Sequence, residues 1–217
     1  MISNSDHIVF DLDDTIYKEI EYMESAFKYI ISWIFKSFGK DFTFLINNCL
    51  KQRSSLYDEI IKVDPNLNFP LSKYLYLYRY HEPKINLSTK TKDLFKKLDF
   101  QSYNYSIITD GRSITQRNKI KSLNLTTKVK SIVISEETGF EKPNEINFRI
   151  IQNTYKNSNF IYVADNTSKD FIAPNMLGWK TICLLDNGLN IHKQNFDLPK
   201  NYLPQRMIRE LSELLSS

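Results

Sequence analysis

A doubly wound α/β fold, a parallel sheet with helices on both faces and an inserted helical block, is what this sequence predicts. Three observations lead there. Five short apolar runs recur along the chain, each ending in polar residues. Helical apolar spacing separates the last four of them, and residues 17–85 carry helical spacing with no strand pattern at all. Short continuous apolar runs mark strands buried on both faces, and their alternation with helices marks a parallel sheet.

The first strand is Ile8-Val9-Phe10, which stops at Asp11-Leu12-Asp13-Asp14-Thr15. The second holds Ile107-Ile108 and ends at Thr109-Asp110-Gly111. Ser131–Ser135, Phe160–Ala164 and Thr181–Leu185 complete the set. Ile114–Leu123, Glu145–Tyr155 and Phe171–Leu177 read as the connecting helices, the last closed by Gly178. Arg206–Leu215 reads as an amphipathic closing helix, and Asp186–Leu203 as the least structured stretch. Within the insertion, helices are expected over Tyr22–Phe38, Phe42–Val63 and Leu71–Tyr80. A block of this length is too long for an ordinary crossover, so the expected division is a core of residues 1–16 and 86–217 with a cap of residues 17–85.

Composition narrows the function. With 217 residues, 41% hydrophobic and 25% charged, the chain can bury a core unaided, and wholesale disorder is excluded. The net charge of +4 comes from lysines scattered among acids, so no nucleic-acid partner is expected. No run approaches the ~20 apolar residues of a membrane span, and Met1–Asp6 lacks a basic-then-apolar leader. The expectation is a cytoplasmic protein with no membrane partner, whose Cys49 and Cys183 are buried thiols.

Polar clusters stand at four strand ends. Asp11 and Asp13 can share a divalent cation and divide nucleophilic from acid–base work. Three apolar residues followed by D-x-D-x-T would arise by chance in roughly 3 of 1,000 chains of this composition. Asp14 reads as part of a solvated turn. Thr109, Asp110 and Gly111 can offer a hydroxyl and backbone N–H groups to an anion, although such a triplet is also an ordinary turn. Lys142 precedes a helix; Asp165 ends a strand; Asp170 could by itself be a helix cap. Together they compose a metal-assisted phosphate site.

These residues resemble a family. Ile8-Val9-Phe10-Asp11-Leu12-Asp13-Asp14-Thr15 is similar to motif I of the haloacid dehalogenase superfamily. Ile107–Gly111 resembles motif II, Lys142 in Glu141-Lys142-Pro143-Asn144 motif III, and Val163-Ala164-Asp165 through Asp170 motif IV. Ala164 stands where the family commonly has Gly. The resemblance covers nearly the whole chain and implies a Rossmann-like core with a helical cap between motifs I and II.

The resemblance also implies roles. Asp11 would attack phosphorus to form an aspartyl-phosphate, and Asp13 would serve as acid and then base. Mg²⁺ would be held by the Asp11 side chain, the Asp13 carbonyl and Asp165. Thr109 and the Gly111 N–H would grip phosphoryl oxygens, Lys142 would offset charge, and Asp170 would orient Lys142 or a metal-bound water. Asp13 points to phosphoryl transfer rather than dehalogenation, because a halide needs no acid to leave. The implied function is a phosphatase for a small soluble phosphomonoester, a sugar phosphate or a nucleoside monophosphate. A phosphosugar mutase of the same fold is the nearest alternative, and a non-enzymatic binding domain a more distant one. Tyr17, Glu19 and Tyr22 follow motif I and can face the leaving group or simply pack. Tyr74, Tyr76, Tyr78 and Tyr80 are too close together for one helix face, so some must point outward.

Overall fold

Six parallel strands form one sheet in the order β3-β2-β1-β4-β5-β6. They are β1 (Asp6–Phe10), β2 (Asn104–Thr109), β3 (Ile132–Ile134), β4 (Asn159–Ala164), β5 (Lys180–Leu184) and β6 (Arg206–Ile208). The computed structural model describes residues 2, 3 and 5–215; Met1, Asn4, Ser216 and Ser217, which the expected core includes, lie outside the described residues. The helices are α1 (Glu19–Phe38), α2 (Ile46–Gln52), α3 (Leu56–Val63), α4 (Leu71–Tyr80), α5 (Thr89–Phe100), α6 (Ser113–Ser122), α7 (Ser135–Thr138), α8 (Ile146–Thr154) and α9 (Ile172–Met176).

Strand side chains alternate between faces, and β1 shows it. Ile8 and Phe10 pack with Leu94, Phe95 and Leu98 of α5 on one face, while Val9 packs with Phe148 and Ile151 of α8 on the other. Both layers are closed, so every β1 residue is buried. The α/β class expected from the sequence is therefore what the chain forms.

Topology places the site. Phe10 pairs with Ile107 of β2 on one side and Val163 of β4 on the other. The chain lays strands outward from β1 to β3, then returns to set β4 against the open side of β1. Connections diverge there, and the crevice beyond the carboxyl ends is where such sheets bind ligands.

Helices α1 to α4 share an apolar cluster of their own, with Phe27, Ile30, Ile34, Cys49, Ile60 and Tyr74 at its centre. Tyr17 and Tyr22, by contrast, pack with the sheet cluster beside Ile85 and Leu87. On α4, Tyr74 is buried, whereas Tyr76 and Tyr80 stack on the outer face with ring centroids 4.8 Å apart.

Some elements differ from expectation. The closing helix over Arg206–Leu215 does not form. Cys183 and Leu184 instead pair with Met207 and Ile208 as β6, and only a 3₁₀ turn follows at Leu211–Leu215. An edge in need of hydrogen bonds outweighs an amphipathic pattern this short. The expected Phe42–Val63 helix is divided, because Arg53 adopts φ 55° and Ser55 starts α3 by accepting a hydrogen bond from the Asp58 N–H. Helix α5 was not foreseen. Both cysteines are buried free thiols.

Candidate active site

The four strand-end clusters converge. The Asp11 N–H donates to the Val163 carbonyl at 2.9 Å, extending the β1–β4 pairing by one residue and setting the Asp11 carboxylate at the switch point. Lys142 Nζ reaches that carboxylate at 2.6 Å, Asp170 Oδ1 at 2.6 Å and the Tyr162 hydroxyl at 3.1 Å. Asp165 accepts from the Thr15 hydroxyl at 3.3 Å and from the Asn190 amide at 2.8 Å. Asp11, Asp165 and Asp170 each offer an oxygen within 4.8 Å of the others, all buried.

Such crowding has electrostatic consequences. Burial, then Asp170 and Asp11, push Asp165 up to about 9. Burial also raises Asp11 to about 7, with Lys142 opposing and Asp170 adding to the rise. Burial alone would pull Lys142 down, yet Asp11 and Asp170 hold its ammonium well above the ordinary lysine range. Three carboxylates against one ammonium leave an excess of negative charge that a divalent cation would cancel. The oxygens also suit a hard ion: Oδ1 of Asp170, although ion-paired with Lys142, has no directed hydrogen bond. The donor set fits Mg²⁺.

Asp13 turns away from this cluster. Its carboxylate accepts from the Tyr17 hydroxyl at 2.5 Å, Gln116 Nε2 at 2.8 Å and Lys119 Nζ at 2.7 Å. Burial would raise it, but the Lys119 charge and these hydrogen bonds prevail and hold it below the usual carboxylate range. Thr109, at the end of β2, accepts from Gln116 Nε2 at 2.5 Å. Asp110 lines the cleft, accepting from the Lys142 N–H at 3.1 Å and Lys169 Nζ at 2.7 Å. Gly111 is not brought to the cleft: its N–H donates to Ser135 Oγ at 2.9 Å and it borders a separate depression.

Asp14 does more than a solvated turn would. At φ 57°, it accepts from the Glu19 N–H and the Ile191 N–H, tying the start of α1 to the loop after β5. Of the three residues expected near a leaving group, Glu19 lines the cleft, Tyr17 bonds Asp13, and Tyr22 donates to the Tyr78 carbonyl inside the packing. The cleft has a volume of about 180 Å³.

Sequence reasoning missed Gln116, Lys119 and Asn190. Gln116 and Lys119 sit three residues apart on α6 beside buried Ile120, and that spacing was the available signal. Asn190 lies in the loop expected to be the least structured stretch, which Asp186 orders by accepting from the N–H groups of Gly188, Leu189 and Asn190.

Sheet and cluster together define an α/β enzyme whose polar centre lies beyond the carboxyl ends of β1 and β4. The chain belongs to the haloacid dehalogenase-like hydrolase family, whose model matches residues 8–184. A glyceraldehyde 3-phosphate phosphatase of Methanocaldococcus jannaschii is 28% identical over 191 residues, covering 82% of this chain and 84% of the relative. A glyceraldehyde 3-phosphate phosphatase of Methanothermobacter thermautotrophicus is 25% identical, covering 95% and 96%. Among solved structures, the putative HAD-hydrolase YfnB of Bacillus subtilis, bound to magnesium, is similar in fold. Its TM-score is 0.59 at 21% identity, with 96% of each chain covered. The family expected from the motifs is the family found.

Proposed function

We propose that this enzyme is a Mg²⁺-dependent phosphatase that hydrolyses a small phosphomonoester through an aspartyl-phosphate on Asp11. The observation that carries the reading is the cluster of Asp11, Asp165 and Asp170 around Lys142, with Asp13 two residues on and held apart from it. On this reading Asp11 attacks phosphorus and Asp13 exchanges protons.

The Asp11 side chain, Asp165 and the Asp13 carbonyl would hold the metal, and Asp170 would keep Lys142 in place. Bound there, Mg²⁺ supplies the positive charge that lets an ionised Asp11 approach an anionic phosphoryl group. A carboxylate oxygen of Asp11 forms a bond to phosphorus as the ester P–O bond breaks, and the leaving oxygen takes a proton from Asp13. Water then attacks the same phosphorus, gives its proton to Asp13 and releases Asp11 with free phosphate. Thr109, with the backbone at Asp110, would grip phosphoryl oxygens. Asp13 can hold the transferred proton only by exchanging the Lys119, Gln116 and Tyr17 hydrogen bonds, which favour its ionised form, for the leaving oxygen.

Residues 17–85 act as a cap over a core of residues 1–16 and 86–217; the separate apolar cluster of α1 to α4 supports this division. A cleft of about 180 Å³ is smaller than the ~300 Å³ lower bound of ordinary ligand pockets and favours a substrate of few carbons. Together with the relatives' activity, this makes a three-carbon sugar phosphate the first candidate over a nucleotide. Purified protein should release inorganic phosphate from glyceraldehyde 3-phosphate with Mg²⁺ and not with excess chelator. Isomerised ester without free phosphate would indicate a mutase, and no reaction with a panel of phosphomonoesters would overturn the reading.

A further inference from the structure

The cleft's two ends differ in charge. At the sheet end, Lys142 lies 2.6 Å from both Asp11 and Asp170, and Lys169 Nζ sits 2.7 Å from Asp110. At the other end Glu19 is the lining residue supplied by α1. Lys119 lies behind it, 3.7 Å from Glu19 and 2.7 Å from Asp13, with a side chain only 3% exposed. Its Nζ also rests 4.4 Å over the Tyr22 ring. One buried ammonium therefore answers two carboxylates and does not itself face the cleft. The carboxylate of Asp14 is committed to two backbone N–H groups. His192, the remaining basic residue of the lining, is exposed at the rim.

A leaving oxygen that meets Asp13 has Glu19 as its next neighbour, because the two share Lys119. We propose that Glu19 selects substrates by the charge of the leaving group. Esters of a neutral polyol or hydroxyaldehyde are accepted, and those whose leaving group carries a carboxylate or a second phosphate are rejected. A hydroxyl can donate to the Glu19 carboxylate. An anion in the same place would face Glu19 and Asp13 with Lys119 already engaged. An acidic residue in the first turn also suits the helix dipole of α1, which by itself would explain a glutamate here but not a substrate preference. The inference rests on the phosphatase reading and deepens it.

A matched pair of esters tests it. Glycerol 3-phosphate and 3-phosphoglycerate differ by a CH₂OH in place of a carboxylate on the same carbon frame. Burial, then Asp13, raise Glu19 to about 7 with Lys119 opposing, so it is largely ionised at pH 8. With Mg²⁺ in excess at that pH, kcat/KM should favour glycerol 3-phosphate by about tenfold or more. Glu19→Gln should shrink that ratio at least threefold, mainly by lowering KM for 3-phosphoglycerate. Turnover of p-nitrophenyl phosphate with an even ratio in the unmodified enzyme would overturn the inference and leave the phosphatase reading standing. So would an unchanged ratio in a folded Glu19→Gln protein. Should the variant fail to fold, the ratio of the unmodified enzyme decides alone. No turnover of any of the three esters would overturn both.

Discussion

Lys142→Met removes the ammonium at the centre of the carboxylate cluster while keeping the length of the side chain. The Lys142 side chain is 2% exposed and its Nζ lies 2.6 Å from both Asp11 and Asp170, whose own side chains are 9% and 1% exposed. Stripping one partner from a buried ion pair costs about 3–5 kcal/mol, because the charge left behind has no solvent to replace it. For a chain of this size, each kcal/mol moves Tm by about 2–4 °C, so a fall of about 6–20 °C is expected without metal. The loss should deepen between pH 6 and pH 9. Folded carboxylates already raised by burial would rise further, and a folded pKa above the unfolded one costs stability as pH increases. Mg²⁺ should restore part of the loss by supplying positive charge to the folded state alone. Adding Asp170→Asn to Lys142→Met should recover at least about 1 kcal/mol, a coupling that a double-mutant cycle reads directly. Thermal unfolding with chelator and with Mg²⁺, at two pH values, measures all of this. A metal-free Lys142→Met protein within about 0.5 kcal/mol of the parent at pH 8 would refute the electrostatic account of the cluster.

Other consequences can be checked separately. Asp165→Asn should abolish the rise in Tm on adding Mg²⁺, and Ca²⁺ should inhibit the unmodified enzyme by drawing more oxygens than Mg²⁺ and occupying the nucleophile; both are read by thermal shift and phosphate release. Asp13→Asn should slow esters with poor leaving groups by about 10² to 10⁴ and p-nitrophenyl phosphate much less, as kcat values on the two will show. His7 is buried against Tyr155 with Nε2 2.8 Å from Ser106 Oγ, and burial, assisted by Lys130, lowers it to about 4. Its folded pKa lies below the unfolded value, so stability should fall as pH drops from about 6.5 to 4, by up to about 3 kcal/mol; His7→Gln should flatten that slope in denaturant titrations.

The sheet and the motif residues were legible for the same reason. Strands buried on both faces leave continuous apolar runs, and in this topology the candidate site residues follow directly where those runs stop: Asp11 after Phe10, Asp165 after Ala164. What escaped lies where pattern and environment part. Helix α6 carries few apolar residues, and one of them, Ile114, is 38% exposed while Gln116 and Lys119 are buried. Apolar periodicity cannot reveal a helix face chosen for its polar groups. Arg206–Ile208 misled because three residues joining an open edge leave no period to read. Asn190 escaped because its loop is ordered by Asp186 and by contacts to Asp14 and Asp165, none of which repeats along the chain.

The central position of β1 also has a bearing on how the molecule is made. It is synthesised before the other five strands of its sheet, yet its β4 neighbour follows only at residues 159–164. Until then a buried apolar strand has one side open, a state in which nascent chains attract both chaperones and one another. The same delay keeps Asp165 and Asp170 away from Asp11 until that gap closes. This crowding of buried carboxylates thus forms late, when enough of the sheet has assembled to bear it.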